Sequence, residues 1–198
     1  MGASSGFGES ISLKLAETGM NIAGVHLDRK STLPHVEEIT QKIKSHGVKS
    51  HFVNANAADR EKRKEFIAEL KKIAPEGIHC LVHSLAFGTL KPFTSTEEKD
   101  RISQEQMEMT LDVMAHSLVY WTQDLLSAHM LRKGSRIFAM TSSGGTRVWP
   151  TYGAVSAAKA ALESHCRQLA LELGKQEIAV NSVRAGVTDT PALRKIPG

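Results

Sequence analysis

The amino-acid sequence predicts an α/β fold built on a doubly wound parallel sheet. Three observations support this prediction. Five short apolar segments alternate with longer amphipathic ones along the 198 residues. A glycine-rich turn leads into the first amphipathic segment, and no repeat, low-complexity tract or Pro/Gly linker divides the chain. Strands separated by helices pair in parallel through crossover connections, so we expect residues 1–198 to form a single domain.

The individual elements follow from length and periodicity. The short apolar segments predict strands at 21–27, 50–53, 79–83, 136–140 and 178–183. Between them, apolar residues recur at helical spacing, which predicts helices at 10–17, 35–46, 62–73, 104–131 and 152–173. Residues 87–101 carry Pro92 and a mixed polar run. This stretch predicts a loop with at most a short helix.

The two ends of the chain look incomplete for such a sheet. A glycine-rich turn should follow a strand, yet only Met1 precedes it, and the sequence ends soon after its last predicted strand. The first strand of this topology lies where the strand order reverses, and without it the strands on either side leave backbone groups unpaired. We therefore expect a sheet that lacks its first strand and its C-terminal helix and strand.

Composition narrows the function classes. The formal charge is +4, from 25 Lys and Arg against 21 Asp and Glu, which favours an anionic ligand such as a nucleotide or an acidic partner and does not indicate nucleic-acid binding. No apolar run approaches a membrane span. Cys80 and Cys166 lie far apart and outside any C-x-x-C pair. We therefore expect no disulfide or metal framework, and a reducing, cytoplasmic location.

The glycine-rich turn is the first candidate binding element. Glycines allow a tight turn and close backbone approach to a pyrophosphate, whose charge then lies at a helix N-terminus. An ordinary glycine-rich helix cap would have the same pattern. The candidate cofactor-binding residues are Gly2, Ser4, Ser5, Gly6, Phe7 and Gly8.

Two later positions bear on the same nucleotide. An acidic residue at the end of the second strand of such folds binds the ribose 2′-hydroxyl of NAD, whereas a basic residue accommodates the 2′-phosphate of NADP. Asp28 is followed at once by Arg29 and Lys30, which favours NADP(H) and leaves NAD(H) open. Asn56 and Ala57 follow the next strand, where they would face the adenine or simply end the strand.

The strongest chemical signal is a tyrosine and a lysine on one helix. Tyr152 and Lys159 are seven residues apart, about two helical turns, so their side chains share a face. An ammonium beside a phenol lowers the phenol pKa and makes it a better proton donor to a developing oxyanion. A buried tyrosine with a lysine packed along an amphipathic helix would have the same spacing.

Together these motifs resemble the short-chain dehydrogenase/reductase family. The resemblance covers nearly the whole chain. The residues that carry it are Gly2-x3-Gly6-x-Gly8, Asn56-Ala57, Ser142, the Tyr152/Lys159 pair and Asn181…Ala185-Gly186…Thr190. The resemblance implies a single Rossmann domain, hydride transfer from a nicotinamide cofactor, and catalysis by Tyr152 and Lys159.

Departures from the usual family pattern indicate one branch. Val155 stands where the family tyrosine lies, four residues before Lys159, and Met114 stands at the usual asparagine of the long helix. His83-Ser84-Leu85-Ala86 replaces Asn-Asn-Ala-Gly. These changes are similar to enoyl-acyl-carrier-protein reductases, with Tyr-x6-Lys. The glycine turn, Arg147 and Asp189-Thr190-Pro191-Ala192-Leu193 look most like the NADPH-dependent type III class.

The resemblance then implies further roles. Tyr152 would donate to the carbonyl oxygen of a trans-2-enoyl thioester, Lys159 would hold the nicotinamide ribose, and Ser142 would orient either Tyr152 or the substrate. Met114 is assigned to packing. Ser84, Leu85 and Ala86, with Gly186, Val187 and Thr190, would line the nicotinamide. A ketone or alcohol substrate, such as a 3-oxoacyl thioester, and a non-catalytic nucleotide-binding protein stay open. Helices 104–131 and 152–173 would form a homodimer or homotetramer.

Overall fold

The computed structural model describes residues 1–197 and has the predicted alternation of helices and strands. The strands are β1 (Ile22–His26), β2 (Ser50–Asn54), β3 (Cys80–His83), β4 (Arg136–Thr141) and β5 (Ala179–Arg184). The helices are α1 (Gly6–Glu17), α2 (Leu33–Ser45), α3 (Arg60–Ile73), α4 (Gln104–Leu111), α5 (Ser117–Ser127) and α6 (Gly153–Leu173). All five predicted strands are confirmed. The stretch 87–101 holds only a 3₁₀ turn at Glu98–Asp100, as predicted.

The strands form two parallel sheets, and the order of the strands confirms a doubly wound fold. β1 pairs with β2, while β4 lies between β3 and β5. Helices α1 and α2 contribute to a small apolar cluster around Ile39 and Ile43, and α3, α5 and α6 to a larger one. Two such clusters are expected when helices cover both faces of a sheet.

The two sheets meet at the first two residues of the chain. The amino group of Met1 donates to the carbonyl of Val82 at 2.7 Å, and the Met1 carbonyl accepts from the Ser84 N–H at 3.1 Å. The N–H of Gly2 donates to the Val25 carbonyl at 2.8 Å. Met1 and Gly2 therefore bridge β3 and β1, where the sequence predicted that no first strand would lie. Beside them a cleft of about 770 Å³ separates β1 from β3.

Two predicted helices have different bounds in the structure. The segment 104–131 is helical only as far as Ser127, where α5 ends, and a π-helical turn at Asp112–His116 joins α4 to α5. Ser117 Oγ donates to the Val113 carbonyl at 2.7 Å, a type of side-chain bond that bends helices, and His129 takes a left-handed φ of 59° that prevents continuation. Helix α1 begins at Gly6 rather than at residue 10, so residues 6–8 of the glycine turn form its first turn.

Most apolar residues of the segment 104–131 are buried within this one chain. Val113, Met114, Leu118, Trp121 and Leu125 are at most 6 % exposed, which accounts for the broad apolar surface without a second copy. Assembly through these helices therefore stays a prediction. Among residues 1–197, no helix is both long and apolar enough to cross a bilayer.

Candidate active site

A cleft of about 580 Å³ opens where the loops that follow β3, β4 and β5 meet the start of α6. Ligands of open α/β sheets bind at this edge, outside the carboxyl ends of the strands. The cleft is lined by the residues that the sequence predicted for catalysis and for the nicotinamide, which are Ser84, Leu85, Ala86, Ser142, Tyr152, Lys159, Gly186, Val187 and Thr190. Phe7 of the glycine turn also lines it.

The tyrosine and the lysine line the same cleft, as their spacing predicted. Tyr152 immediately precedes α6 and is 9 % exposed, and Lys159 lies two turns further along the helix at 7 % exposure. Val155, on the turn between them, also lines the cleft. The helix therefore presents a phenol and an amine on one wall, with an apolar side chain between them.

Lys159 is held by backbone oxygens at the mouths of two strands. Its Nζ donates to the Met140 carbonyl at 2.7 Å and contacts the Leu85 carbonyl at 3.5 Å. Burial lowers the pKa of Lys159 to about 8, because the charged form loses its hydration. An ammonium has three donor hydrogens, so one is left for a ligand in the cleft.

Ser142 and Tyr152 approach each other across Gly144. The Ser142 Oγ accepts from the Gly144 N–H at 3.2 Å, and Ser156 Oγ donates to the Gly144 carbonyl. A Cβ built on Gly144 would lie 2.4 Å from the Tyr152 ring and 3.1 Å from Ser142 Oγ. Only a glycine lets the loop after β4 lie this close to the phenol ring. The Trp149 ring meets the Tyr152 ring edge to face, with centroids 6.3 Å apart.

The glycine turn has the close backbone contacts that a phosphate cradle needs. Gly2 and Gly6 have left-handed φ values of 73° and 55°. A Cβ on Gly8 would lie 1.8 Å from the Gly2 carbonyl oxygen, so the turn folds back on itself at the N-terminus of α1. The first N–H groups of a helix have no partner within it and attract anions. A Cβ on Gly6 would lie 3.5 Å from Thr190, so the turn adjoins the cleft.

Asp28 lies beyond β1, next to the glycine turn. Burial acts to raise its pKa, but the polar side chains of Ser4, Thr32 and His26 beside it outweigh burial, and the pKa of Asp28 lies below its ordinary value. Arg29 is exposed beside it. The structure thus brings Asp28, Arg29 and Ser4 to one end of the turn, where an adenosine ribose would lie.

Asn56 and Ala57 lie at the end of β2, in a loop that is fixed from two sides. Asn56 Oδ1 accepts from the Ala58 N–H at 3.0 Å, whereas Trp121 Nε1 donates to the Ala57 carbonyl at 2.8 Å. The buried Arg63 donates to the Ala58 carbonyl at 2.9 Å. Asn56 is exposed, with its amide oxygen already used within the loop, and neither Asn56 nor Ala57 lines the 580 Å³ cleft.

His83 lies beneath the cleft rather than on its wall. It is fully buried, and burial together with the Lys159 ammonium keeps the pKa of His83 well below its usual range. Its Nε2 lies 2.9 Å from Ser117 Oγ, whose own proton goes to the Val113 carbonyl. The histidine is therefore neutral with its proton on Nε2, and within residues 1–197 its Nδ1 has no hydrogen-bond partner. Of the His83–Ala86 run, only the last three residues reach the cleft.

Sequence reasoning missed several supporting residues. Arg63 and Trp121 hold the loop after β2, yet each occurs in a stretch of ordinary composition. Gly144 lies in the Ser- and Gly-rich run 142–145, which was the available signal for it. Trp149, which the sequence analysis did not use, lines the cleft beside Tyr152. The one sequence signal for it was its place three residues before a tyrosine at a helix entry. No group of three or more His, Cys, Asp or Glu side chains in residues 1–197 has an arrangement that could hold a metal ion.

The fold and the Tyr152/Lys159 cleft define a Rossmann-type dinucleotide-binding domain. The family described as Enoyl-(Acyl carrier protein) reductase matches residues 2–198. The chain therefore belongs to this branch of the short-chain dehydrogenase/reductase family, whose members bind a nicotinamide cofactor.

Individual relatives differ in their substrates. The chain is 32% identical over 137 residues to the enoyl-acyl-carrier-protein reductase [NADH] FabI of Aquifex aeolicus. The matched region covers 68% of this chain and 50% of that protein. It is 27% identical over 186 residues to the 3-oxoacyl-acyl-carrier-protein reductase FabG of Staphylococcus epidermidis, covering 93% of this chain and 72% of that protein. The chain thus spans about half the length of the first of these relatives.

Solved structures agree on the fold. A dehydrogenase/reductase from Sinorhizobium meliloti matches with a TM-score of 0.83 and 26% identity, covering 96% of this chain and 71% of the other. A short-chain dehydrogenase from Burkholderia cenocepacia in complex with NADP matches with a TM-score of 0.80 and 26% identity, covering 96% of this chain and 74% of the other.

Proposed function

We propose that this protein reduces the double bond of a trans-2-enoyl thioester with a nicotinamide cofactor. One observation carries the proposal: the cleft holds Tyr152 seven residues before Lys159, and Val155 fills the position four residues before it. A ketone reductase protonates the same C=O group that receives hydride. An enoyl reductase must instead reach a carbonyl oxygen three bonds away from the carbon that receives hydride, two bonds further than in a ketone, and a tyrosine one turn earlier suits that longer reach.

The chain's own residues supply the polar groups for this reaction. When bound, the cofactor supplies hydride for the β-carbon of the substrate. The Tyr152 hydroxyl donates a hydrogen bond, and then its proton, to the thioester carbonyl oxygen as that oxygen gains negative charge. The resulting enol rearranges to the saturated thioester, and solvent returns a proton to Tyr152. Lys159 keeps the local field positive and gives its remaining N–H to the ribose hydroxyls. One preorganised donor to a developing oxyanion is worth about 3–4 kcal/mol of barrier.

The apolar wall of the cleft supports an acyl substrate. Beyond the polar cluster, the cleft is lined by apolar side chains that include Leu90, Met114, Trp149, Val155 and Leu193. Met114 is 1 % exposed and has no proton to give. A mostly apolar pocket with a few convergent polar groups is the usual form of a small-molecule site. In this cleft the apolar side chains would contact the acyl chain and the polar groups would contact the thioester.

NADP(H) is the proposed cofactor. The Asp28 carboxylate already has His26 Nδ1 at 2.9 Å, so less of it remains for a ribose 2′-hydroxyl. The basic side chains of Arg29 and Lys30 are exposed directly after it and suit a 2′-phosphate. The FabI relatives carry NADH in their names, which keeps NADH as the second candidate.

A second candidate reaction is reduction of a 3-oxoacyl thioester. The likeness to a FabG and to a very-long-chain 3-oxoacyl-CoA reductase favours it. A non-catalytic nucleotide-binding protein is the candidate from another class. The retention of Ser142, Tyr152 and Lys159 in one cleft argues against the loss of chemistry.

The deciding experiment follows the absorbance of NADPH with two substrates of equal chain length, crotonyl-coenzyme A and acetoacetyl-coenzyme A. We expect faster oxidation of NADPH with the crotonyl thioester. A preference for acetoacetyl-coenzyme A would replace the enoyl proposal with the ketone one. Nucleotide binding without turnover of either substrate would favour the non-catalytic candidate.

We also propose a homodimer or homotetramer formed through α4, α5 and α6. Helix α6 carries Leu171 at 75 % exposure and the half-buried small residues Ala157 and Ala161, which would permit close helix packing. Light scattering coupled to size-exclusion chromatography gives the mass directly. A monomer at micromolar concentration would overturn the assembly proposal.

A further inference from the structure

We propose that Ser156 is a positioning residue that holds Tyr152 in place through Gly144. Ser156 does not line the 580 Å³ cleft, so it contacts neither the substrate nor the reacting atoms. It acts on the loop between β4 and α6, which ends at Tyr152. This role rests on the function proposed above, because it concerns the placement of the proton donor in that reaction.

The Ser156 hydroxyl has an unusual partner. Ser156 lies in the first turn of α6, where its N–H donates to the Tyr152 carbonyl at 2.8 Å. Its Oγ donates to the carbonyl of Gly144, a residue 12 positions earlier in the chain. Helical serines and threonines commonly donate to the carbonyl four residues before them, and five others in this chain do so: Ser12, Thr40, Thr110, Ser117 and Thr122. Ser156 instead ties its helix to a different segment.

Gly144 meets the hydroxyl end of the tyrosine ring. A Cβ built on Gly144 would lie 2.4 Å from Tyr152 Cε1 and 3.2 Å from Tyr152 Cζ, the carbon that carries the hydroxyl. A shift of the Gly144 backbone therefore displaces the proton donor itself. On its other side, the Gly144 N–H donates to Ser142 Oγ at 3.2 Å. The Ser156 bond thus fixes the peptide that lies between the two candidate catalytic hydroxyls.

The backbone directly before the tyrosine is strained. Thr151 has a left-handed φ of 62°, a region that β-branched residues rarely occupy. Residues in such conformations persist only where the surrounding contacts fix them. If the loop were released, we expect Thr151 to relax and to carry Tyr152 with it. The hydrogen bond from Ser156 to Gly144 holds the loop one helical turn beyond Tyr152.

Ser156 belongs to a row of polar residues on the face of α6 that meets β4. Lys159 Nζ donates to the Met140 carbonyl at 2.7 Å, and Glu163 Oε1 accepts from Thr141 Oγ1 at 2.8 Å. Positions 156, 159 and 163 have the three- and four-residue spacing that places helical side chains on one face. Lys159 and Glu163 bind the last residues of the strand, whereas Ser156 reaches beyond the strand into the loop.

Three variants of α6 test this role with crotonyl-coenzyme A and NADPH. Ser156→Ala removes the hydroxyl, Ser156→Thr keeps one, and Ser164→Ala changes the other serine of the helix, which is exposed. We expect Ser156→Ala to lower kcat by about tenfold, as for a small misplacement of a catalytic group. KM and the dissociation constant of NADPH should stay unchanged, because the lost alignment matters only in the transition state.

The other two variants separate this role from a general defect of the helix. Ser156→Thr should retain most of the activity, and Ser164→Ala should retain all of it. Full kcat in Ser156→Ala overturns the inference, and so does a kcat in Ser156→Thr as low as in Ser156→Ala.

A double-mutant cycle shows whether Ser156 acts through Tyr152. Residues that act as one unit have non-additive effects. In a Tyr152→Phe background, which already lacks the phenol proton, Ser156→Ala should change kcat by no more than about twofold. An equal loss in both backgrounds would mean that Ser156 acts by another route, and it would overturn the inference.

Acrylamide quenching of tryptophan fluorescence tests the same role without turnover. Trp149 is 40 % exposed and packs against Tyr152, whereas Trp121 is 2 % exposed, so quenching reports on Trp149. Ser156→Ala should increase the quenching and Ser164→Ala should not. Equal quenching in wild type and Ser156→Ala overturns the inference.

Failure of the proposed function has a different signature. A preference for acetoacetyl-coenzyme A overturns the enoyl proposal, and the same cycle run with that substrate then decides the role of Ser156. Absence of turnover with either thioester overturns the proposed function, and the quenching result alone then decides whether Ser156 holds the loop.

Discussion

The ammonium of Lys159 donates to the carbonyl oxygen of Met140 at 2.7 Å, at the mouth of β4 and in a site where the lysine is 7 % exposed. This contact joins the helix that carries the candidate catalytic pair to the strand edge where the cofactor would lie. It also places a charged group where hydration is poor, and this has a measurable consequence for stability.

Stability should rise with pH above the pKa of Lys159. The folded pKa is about 8 against 10.5 in the unfolded chain, so between these values the unfolded state binds more protons and the free energy of unfolding increases with pH. The full effect is about 3 kcal/mol. Urea unfolding at pH 7, 8, 9 and 10 measures it.

Lys159→Met is the control for this pH dependence. Burial also raises the pKa of Cys166 to about 11, which lowers stability as the pH rises from about 9 to about 11. The difference between wild type and Lys159→Met at each pH removes the cysteine contribution. If the free energy of unfolding changed with pH in the same way in both proteins, the pKa of Lys159 would not be lowered in the folded state.

Tyr152→Phe should lower kcat with the enoyl thioester by about 10²–10³-fold, the loss typical of one oxyanion donor. The dissociation constant of the nucleotide should stay within twofold, since the ring and its packing are retained. Tyr120→Phe is the matched control, because Tyr120 and Tyr152 are the two tyrosines of the chain and Tyr120, on α5, packs against Arg63 of α3 instead. Equal kcat values for the two variants would remove Tyr152 from the mechanism.

Gly144→Ala should displace Tyr152 without unfolding the protein. The new Cβ would lie 2.4 Å from the Tyr152 ring, so the ring must move. We expect kcat to fall by at least about tenfold, as for small errors of placement in an active site. Gly145→Ala is the control, since its Cβ has no neighbour closer than 3.5 Å. Comparable losses in both variants would mean that flexibility of the loop, and not contact with Tyr152, is the cause.

Arg63→Met should loosen the loop that follows β2. Arg63 Nε donates to Asp124 Oδ2 at 2.8 Å and its guanidinium lies 5.2 Å from the Tyr120 ring centroid. Removing one partner of a buried pair costs about 3–5 kcal/mol, and because Asp124 is 33% exposed we expect a loss of about 2 kcal/mol.

The same variant should weaken nucleotide binding, because the Ala58 carbonyl loses its partner beside Asn56. Urea unfolding and calorimetry measure the two effects. Arg60→Met, at the exposed start of α3, should change neither quantity. Unchanged nucleotide affinity in Arg63→Met would show that the loop is held without the arginine.

The order of the elements, the five strands and the shared face of Tyr152 and Lys159 can all be predicted from the amino-acid sequence alone. These depend on periodicity and on the fixed geometry of a helix, which neighbouring residues already encode. The glycine turn was also readable, because its glycines occur where a helix begins.

Contacts between distant segments depend on the packing of the whole chain. The hydrogen bond of Trp121 to the Ala57 carbonyl, the pairing of Arg63 with Asp124 and the approach of Lys159 to the Met140 carbonyl all join residues that no local pattern relates. Burial of the long helix within one chain was decided in the same way, since an apolar face looks alike in sequence whether a strand or a second copy covers it. Local geometry sets which side chains share a face, and only packing sets what that face meets.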